Sequence, residues 1–171
     1  MTSADPERDE LLLSGACAYR RYVSAQLLNG HATAAAVGLN STDFSCLNLL
    51  ALSGPLTAGQ LAERTGLTTG ATTRMIDRLE QGRFVRRERD PADRRRVIVV
   101  VASDRGNELD AALEPGRRRM YEVFQRYNAT EVRVLLDYFT HAAPALLGVV
   151  DDLQATDPPA DRDARTQSTT E

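Results

Sequence analysis

Leu56 to Gly106 reads LTAGQLAERTGLTTGATTRMIDRLEQGRFVRRERDPADRRRVIVVVASDRG, and its start and stop signals follow one another too closely for independent elements. Thr57-Ala58-Gly59-Gln60 has the form of a capping box, in which the hydroxyl takes the Gln60 amide while the Gln side chain reaches back. It predicts a helix through Leu61 and Ala62 that stops at Gly66. Leu67-Thr68 then leads straight into a second helix, Thr69 to Gln81, with Gly82 as its stop. Two short helices about a tight turn form the helix-turn-helix pattern. Phe84 to Arg89 and Val97 to Val101 are β-rich and are separated by DPADRRR at 90–96, which predicts a hairpin with a charged tip.

Working outward, Asp9 to about Leu28 places Leu12, Leu13, Ala16, Tyr19, Val23 and Leu27 at helical spacing, with Asn29-Gly30 as the expected end. A second helix carries Phe44, Leu47, Leu50 and Ala51, with Ser41 as expected N-cap and Gly54-Pro55 closing it. On the other side Ser103-Asp104 is expected to cap a long helix bearing Leu109, Ala112, Leu113, Met120, Val123 and Phe124 and kinked at Pro115-Gly116. Asn128 to Glu131 resembles another capping box, opening a last helix that bends or restarts at Pro144 and runs to Leu153. The expected class is mainly α with a small β-hairpin wing: a winged helix-turn-helix at 41–102, and N- and C-terminal helices, 9–40 and 103–154, forming a helical dimerisation region. Residues 1–8 and the acidic tail 155–171 are expected to be disordered.

The charge is as uneven as the pattern. The 171 residues carry 21 basic and 24 acidic side chains, a formal net charge of -3, and every basic residue is arginine. Between 64 and 105, eleven Arg face six acids, a local +5; elsewhere ten Arg face eighteen acids, a local -8. An acidic body with one arginine-rich segment argues against indiscriminate polyanion binding and fits a single nucleic-acid-facing surface. With no Trp and 5% aromatics, the core must be mostly Leu, Val and Ala, which suits helix-on-helix packing.

On a helical wheel, Ala71, Thr72, Met75, Ile76 and Leu79 share the inward side of the second short helix. Gly70, Thr73, Arg74, Asp77 and Gln81 collect opposite, flanked by Thr69 and Arg78. Small and hydroxyl-bearing residues near the N-terminus, then an arginine, suit insertion into a major groove. Arg74 is the expected base contact; an ordinary solvated helix face is the plain alternative. Seven Arg in the fourteen residues 83–96 straddle the hairpin tip, where guanidinium groups can reach a narrow minor groove. Asp93, two residues before Arg95, is expected to hold that guanidinium extended. Arg86, Arg87, Arg89 and Arg96 are candidates for phosphate positioning.

Leu56 to Gly106 resembles the winged helix-turn-helix of MarR-type bacterial transcription regulators, and the likeness extends over about residues 9–154. DPADRRRV is its most specific part. Asp93-x-Arg95 falls on the family's wing-tip Asp-x-Arg, and Thr68 to Arg78 on its recognition helix; Ala102-Ser103 departs from the family's usual Leu-Thr. The resemblance implies a sequence-specific double-stranded DNA-binding regulator, commonly a repressor, with Thr68, Thr69, Gly70, Thr73, Arg74, Arg78, Arg89, Asp93, Arg94, Arg95 and Arg96 at the DNA. It implies a homodimer through the first, fifth and sixth helices, matching the apolar Leu11–Leu13 and Leu146–Val150 segments, and hence a pseudo-palindromic site.

It also implies a small aromatic effector held between dimer helices and winged domain, for which Tyr19, Tyr22, His31, Phe44 and Leu47 are candidates, although aromatics at helical spacing more often fill a core. Cys17, with Tyr19 and Tyr22 nearby, invites comparison with the family's peroxide-sensing branch; a small buried apolar residue is the simpler reading. Cys46 reads as core. Two cysteines make no disulfide framework, so a reducing, cytoplasmic location is expected. The uncharged stretch Tyr138 to Val150 is too short to span a bilayer, so no membrane is expected.

Other classes fare worse. Two histidines, no phosphate loop and no nucleophile elbow leave no catalytic site, no metal site and no cofactor to expect. A non-DNA interaction module with a basic stripe remains the third class. It would bind any polyanion weakly, whereas a regulator prefers one duplex by orders of magnitude.

Overall fold

The computed structural model describes residues 5–156; the expectations for 1–4 and 157–171 lie outside the described residues. Element order is α1 (Pro6–Ala36), α2 (Ser41–Ser53), β1 (Leu56–Thr57), α3 (Ala58–Thr65), α4 (Thr69–Gln81), β2 (Val85–Arg89), β3 (Val97–Val101), α5 (Gly106–Phe124) and α6 (Ala129–Thr156). The chain divides after Arg118 into two units.

The first unit is built on the expected helix-turn-helix. Thr57 Oγ1 accepts from Gln60 N at 3.2 Å while Thr57 N donates to Gln60 Oε1 at 2.9 Å, so the capping box is closed, and Gly66 ends α3 in the left-handed region at φ 69°. Thr68 caps α4, its hydroxyl accepting from Ala71 N. β3 lies between β1 and β2 in an antiparallel sheet; Leu56 pairs with Val99, and Val85 with Val101. Leu47 and Leu50 of α2, Leu61 of α3, Met75, Ile76 and Leu79 of α4, and Phe84, Val85 and Val99 of the wing form one buried core.

Four local expectations are corrected. α1 starts at Pro6, with Asp5 as N-cap, and runs through Asn29-Gly30 to Ala36. Thr33, Ala34 and Val37 are buried, and that burial outweighs the roughly 1 kcal/mol that a helical Gly costs. Asn40 rather than Ser41 caps α2, its side chain accepting from Asp43 N at 2.8 Å. α5 begins at Gly106, beyond Ser103-Asp104, and both it and α6 stay helical through Pro115 and Pro144. A Cβ on Gly116 would lie 3.3 Å from the Asn29 amide, so Pro115-Gly116 is where α5 lets α1 approach.

The end of α4 differs in kind. Gly82 itself has ordinary helical φ, and the left-handed residue is Arg83 at φ 59°. Phe84 N donates to Leu79 O and Arg83 N to Glu80 O, both at 2.9 Å, which is a Schellman closure with arginine in the position glycine usually takes. Glycine at 82 leaves room for a ring instead: a Cβ there would stand 3.1 Å from the Phe84 ring, which would have to give way.

In the second unit, Asn128 and Glu131 form the expected reciprocal cap, Asn128 N donating to Glu131 Oε2 at 2.8 Å and Glu131 N to Asn128 Oδ1 at 3.1 Å. Leu146, Leu147, Val149 and Val150 of α6 are exposed; in the first unit so are Leu11, Leu12, Leu13, Leu27 and Leu28 of α1. Among the described residues no helix is long and apolar enough to cross a membrane.

Candidate nucleic-acid interface

α4 separates its faces as the wheel requires. Thr72, Met75, Ile76 and Leu79 are buried, and Thr69, Gly70, Thr73, Arg74, Asp77, Arg78 and Gln81 are exposed. The N–H groups of Thr69 and Gly70 belong to the first helical turn, so they have no intrahelical acceptor and carry the positive end of the helix dipole. Nothing lies within 4 Å of where a Gly70 Cβ would be, which leaves this end open to close approach. Thr73 donates its hydroxyl to Thr69 O at 3.0 Å and keeps its lone pairs outward.

Which arginines can reach a ligand depends on which are already held. Arg78 puts Nε on Asp43 Oδ2 at 2.9 Å and Nη2 on Asp43 Oδ1 at 2.6 Å, and this hydrogen-bonded pairing raises its pKa. Arg87 of β2 reaches back to α4, binding Asp77 at 2.6 Å and Glu80. Partial burial pulls the Arg87 pKa down, but the two carboxylates more than offset this and hold it above its usual value. Asp77 and Glu80 repel phosphates; Arg87 offsets one of their two charges and clamps the wing to the helix. Arg86 pairs with Glu88, Arg64 donates to Ser53 Oγ at 2.9 Å, and Arg105 holds Glu108 while lying 4.2 Å above the Phe84 ring.

The wing tip is braced through its backbone. Asp90 N donates to Arg96 O at 3.0 Å, Arg96 N to Asp93 O at 2.9 Å, and Ala92 N to Asp90 Oδ1 at 2.8 Å. Asp93 Oδ1 accepts from Arg95 N at 3.0 Å. The expectation that Asp93 holds the Arg95 guanidinium is therefore corrected: at a spacing of two residues an Asx turn brings the main-chain N–H to the carboxylate and leaves the side chain to solvent. Arg89 crosses the hairpin to donate to Arg94 O at 2.8 Å, acting as a strut, and Arg96 lies 3.8 Å from Asp90. Among the described residues from 64 to 105, the guanidinium groups left without a protein partner are those of Arg74, Arg83, Arg94 and Arg95.

Sequence reasoning thus placed Thr69, Gly70, Thr73, Arg74, Arg94 and Arg95 on open surface, and it missed that Arg78, Arg86, Arg87, Arg89 and Arg96 are engaged by the protein's own groups. It did not single out Asp43, whose partner lies 35 residues away and leaves no local signal.

The other candidates scatter. Phe44 and Leu47 are sealed in the core; Tyr19 and Tyr22 are exposed on α1, Tyr22 Oη accepting from Gln26 Nε2 at 3.1 Å. His31, expected in a loop, is an exposed residue of α1. Cys17 is exposed on α1, beside Arg20, Arg21 and Ser24, so the simpler expectation of a buried thiol is corrected; Cys46 is fully buried, and burial, then the Asp43 charge, push its thiol up to about 11.

Comparison with known proteins agrees with this geometry. The MarR family model matches residues 39–97. The Bacillus subtilis HTH-type transcriptional regulator YcgE is 33% identical over 136 residues, 80% of this chain and 88% of its own length. A MarR family protein from Bacillus stearothermophilus has the same fold, with a TM-score of 0.62 at 23% identity over 84% of this chain and 99% of that one. Apo MarR from E. coli superposes with a TM-score of 0.52 at 20% identity, over 74% and 95%. With a helix-turn-helix, an arginine-tipped wing and a full-length relative in agreement, the chain belongs to the MarR family of winged helix-turn-helix transcription regulators.

Proposed function

We propose that this MarR-family regulator works as a homodimeric repressor that reads a pseudo-palindromic duplex, α4 entering the major groove and the wing tip the adjacent minor groove. The observation that carries the reading is the division of the arginines. Of the eleven arginines between 64 and 105, seven are held by the protein's own groups, whereas Arg83 after α4, Arg74 on the outward face of α4, and Arg94 and Arg95 at the wing tip are not. In this reading Thr69, Gly70 and Thr73 meet the phosphate backbone near the helix N-terminus, Arg74 donates to base edges, and Arg95 enters the minor groove. Thr68, Arg89, Asp93 and Arg96 shape that surface through the cap and the braced tip.

Dimerisation is supported by the exposed leucines and valines that α1 carries in the first unit and α6 in the second. A small aromatic effector, docking against the exposed rings of Tyr19 and Tyr22, would release DNA by altering the spacing of the two reading heads. The test is competition binding of purified protein between genomic duplex fragments and random DNA at about 0.15 M salt. The reading expects a preference of at least about 10³-fold for some fragments, lost on mutating Arg74 and Arg95 together; uniform retention with salt dependence alone would overturn it.

A further inference from the structure

Asp43 is the only buried charged side chain among the described residues, 2% exposed. It sits in the first turn of α2, where Asn40 Nδ2 donates to its Oδ2 at 3.0 Å, and Arg78 of the recognition helix grips both of its oxygens in a two-pronged pair. A carboxylate withdrawn from water requires such a partner, so α4 must present Arg78 to it. Arg78 lies one turn beyond Arg74 on the same helix, so the azimuth of one guanidinium sets that of the other. The pair therefore fixes the roll of α4 and also occupies an arginine that the helix would otherwise turn toward phosphate.

Resting on the DNA-reading role above, we propose that Asp43 is a specificity-determining positioning residue: by holding Arg78 it sets the angle at which Arg74 meets the bases and withholds one cation from indiscriminate backbone contact. Simple electrostatics predicts the opposite sign, since removing a negative charge near DNA should tighten binding to every duplex.

The test uses the full chain carrying Asp43→Asn, Arg78→Gln, Arg78→Lys or both of the first two, with binding measured on a selected site and on random duplex across a salt series. Asp43→Asn is expected to weaken the selected site about tenfold and to strengthen random duplex, whose salt dependence steepens by about one released counterion. Arg78→Gln is expected to match the loss on the site without the gain on random DNA, Arg78→Lys to recover part of it, and the double variant to be no worse than either single one. Equal tightening on both duplexes by Asp43→Asn, an unchanged site affinity in Arg78→Gln, or additive losses in the double variant would each overturn the proposal. The double variant strands no buried carboxylate, so it reports even if Arg78→Gln, which leaves Asp43 without its partner, does not fold. A wild-type chain that prefers no duplex would overturn the DNA reading itself; a preference left unchanged by these substitutions overturns only the role of Asp43.

Discussion

Arg74 and Arg95 are both unpaired in the protein, yet they are expected to fail differently when removed. Arg95→Ala should weaken binding by about 1–3 kcal/mol, most where A·T-rich flanks narrow the minor groove, because a minor-groove guanidinium reads width. Equal affinity of mutant and wild type across flanks would contradict that. Arg74→Ala should relax preference at one base position in each half-site; an unchanged site preference would make Arg74 a phosphate contact. Cys46 gives a pH signature. Its thiol ionises near 9 when unfolded and at about 11 in the fold. The native state therefore keeps a proton that the unfolded state loses, so this contribution is complete below pH 9 and falls by up to roughly 1.4 kcal/mol per pH unit as pH rises toward 11. Urea unfolding between pH 8 and pH 11 should show a shallower decline in Cys46→Ala than in wild type; identical slopes would contradict a buried thiol.

At the scale of elements, α4 and the wing root depend on a close fit at Gly82. Gly82→Ala should cost about 1–3 kcal/mol, because the added methyl must displace the Phe84 ring. Arg83→Gly should add about 0.5–1 kcal/mol by relieving a left-handed arginine. Thermal or urea denaturation of the pair checks both signs. The boundaries of α3 and α4 were legible because cap, period and stop agree within a few residues: Thr57 with Gln60, Gly66, then the alternation of Met75, Ile76 and Leu79 with Thr73 and Arg74. The length of α1 was not, since Asn29-Gly30 is a local stop signal overruled by burial of Thr33 and Ala34. Asp43–Arg78 and Arg87–Asp77 were illegible for the same reason, being contacts between elements that no spacing along the chain announces. Asp93 was misjudged more narrowly: the residue was right and the group it binds was the main chain.

Over the whole molecule, the exposed leucines and valines of α1 and α6 and the arginine-rich segment of α4 and the wing assign different tasks to different segments. α1 and α6 expose leucine and valine, whereas α4 and the wing tip expose Arg74, Arg94 and Arg95 without a protein partner. A dimer through the former would carry two copies of the latter, and a two-fold protein reads a two-fold site. The most direct measurement is selection of bound duplexes from a random pool by the purified chain at about 0.15 M salt. The predicted result is an enriched inverted repeat whose half-site centres lie roughly one helical turn, about 34–36 Å, apart. Recovery of no common sequence, or of a lone half-site without its inverted partner, would contradict a dimeric regulator that reads DNA through α4 and the wing.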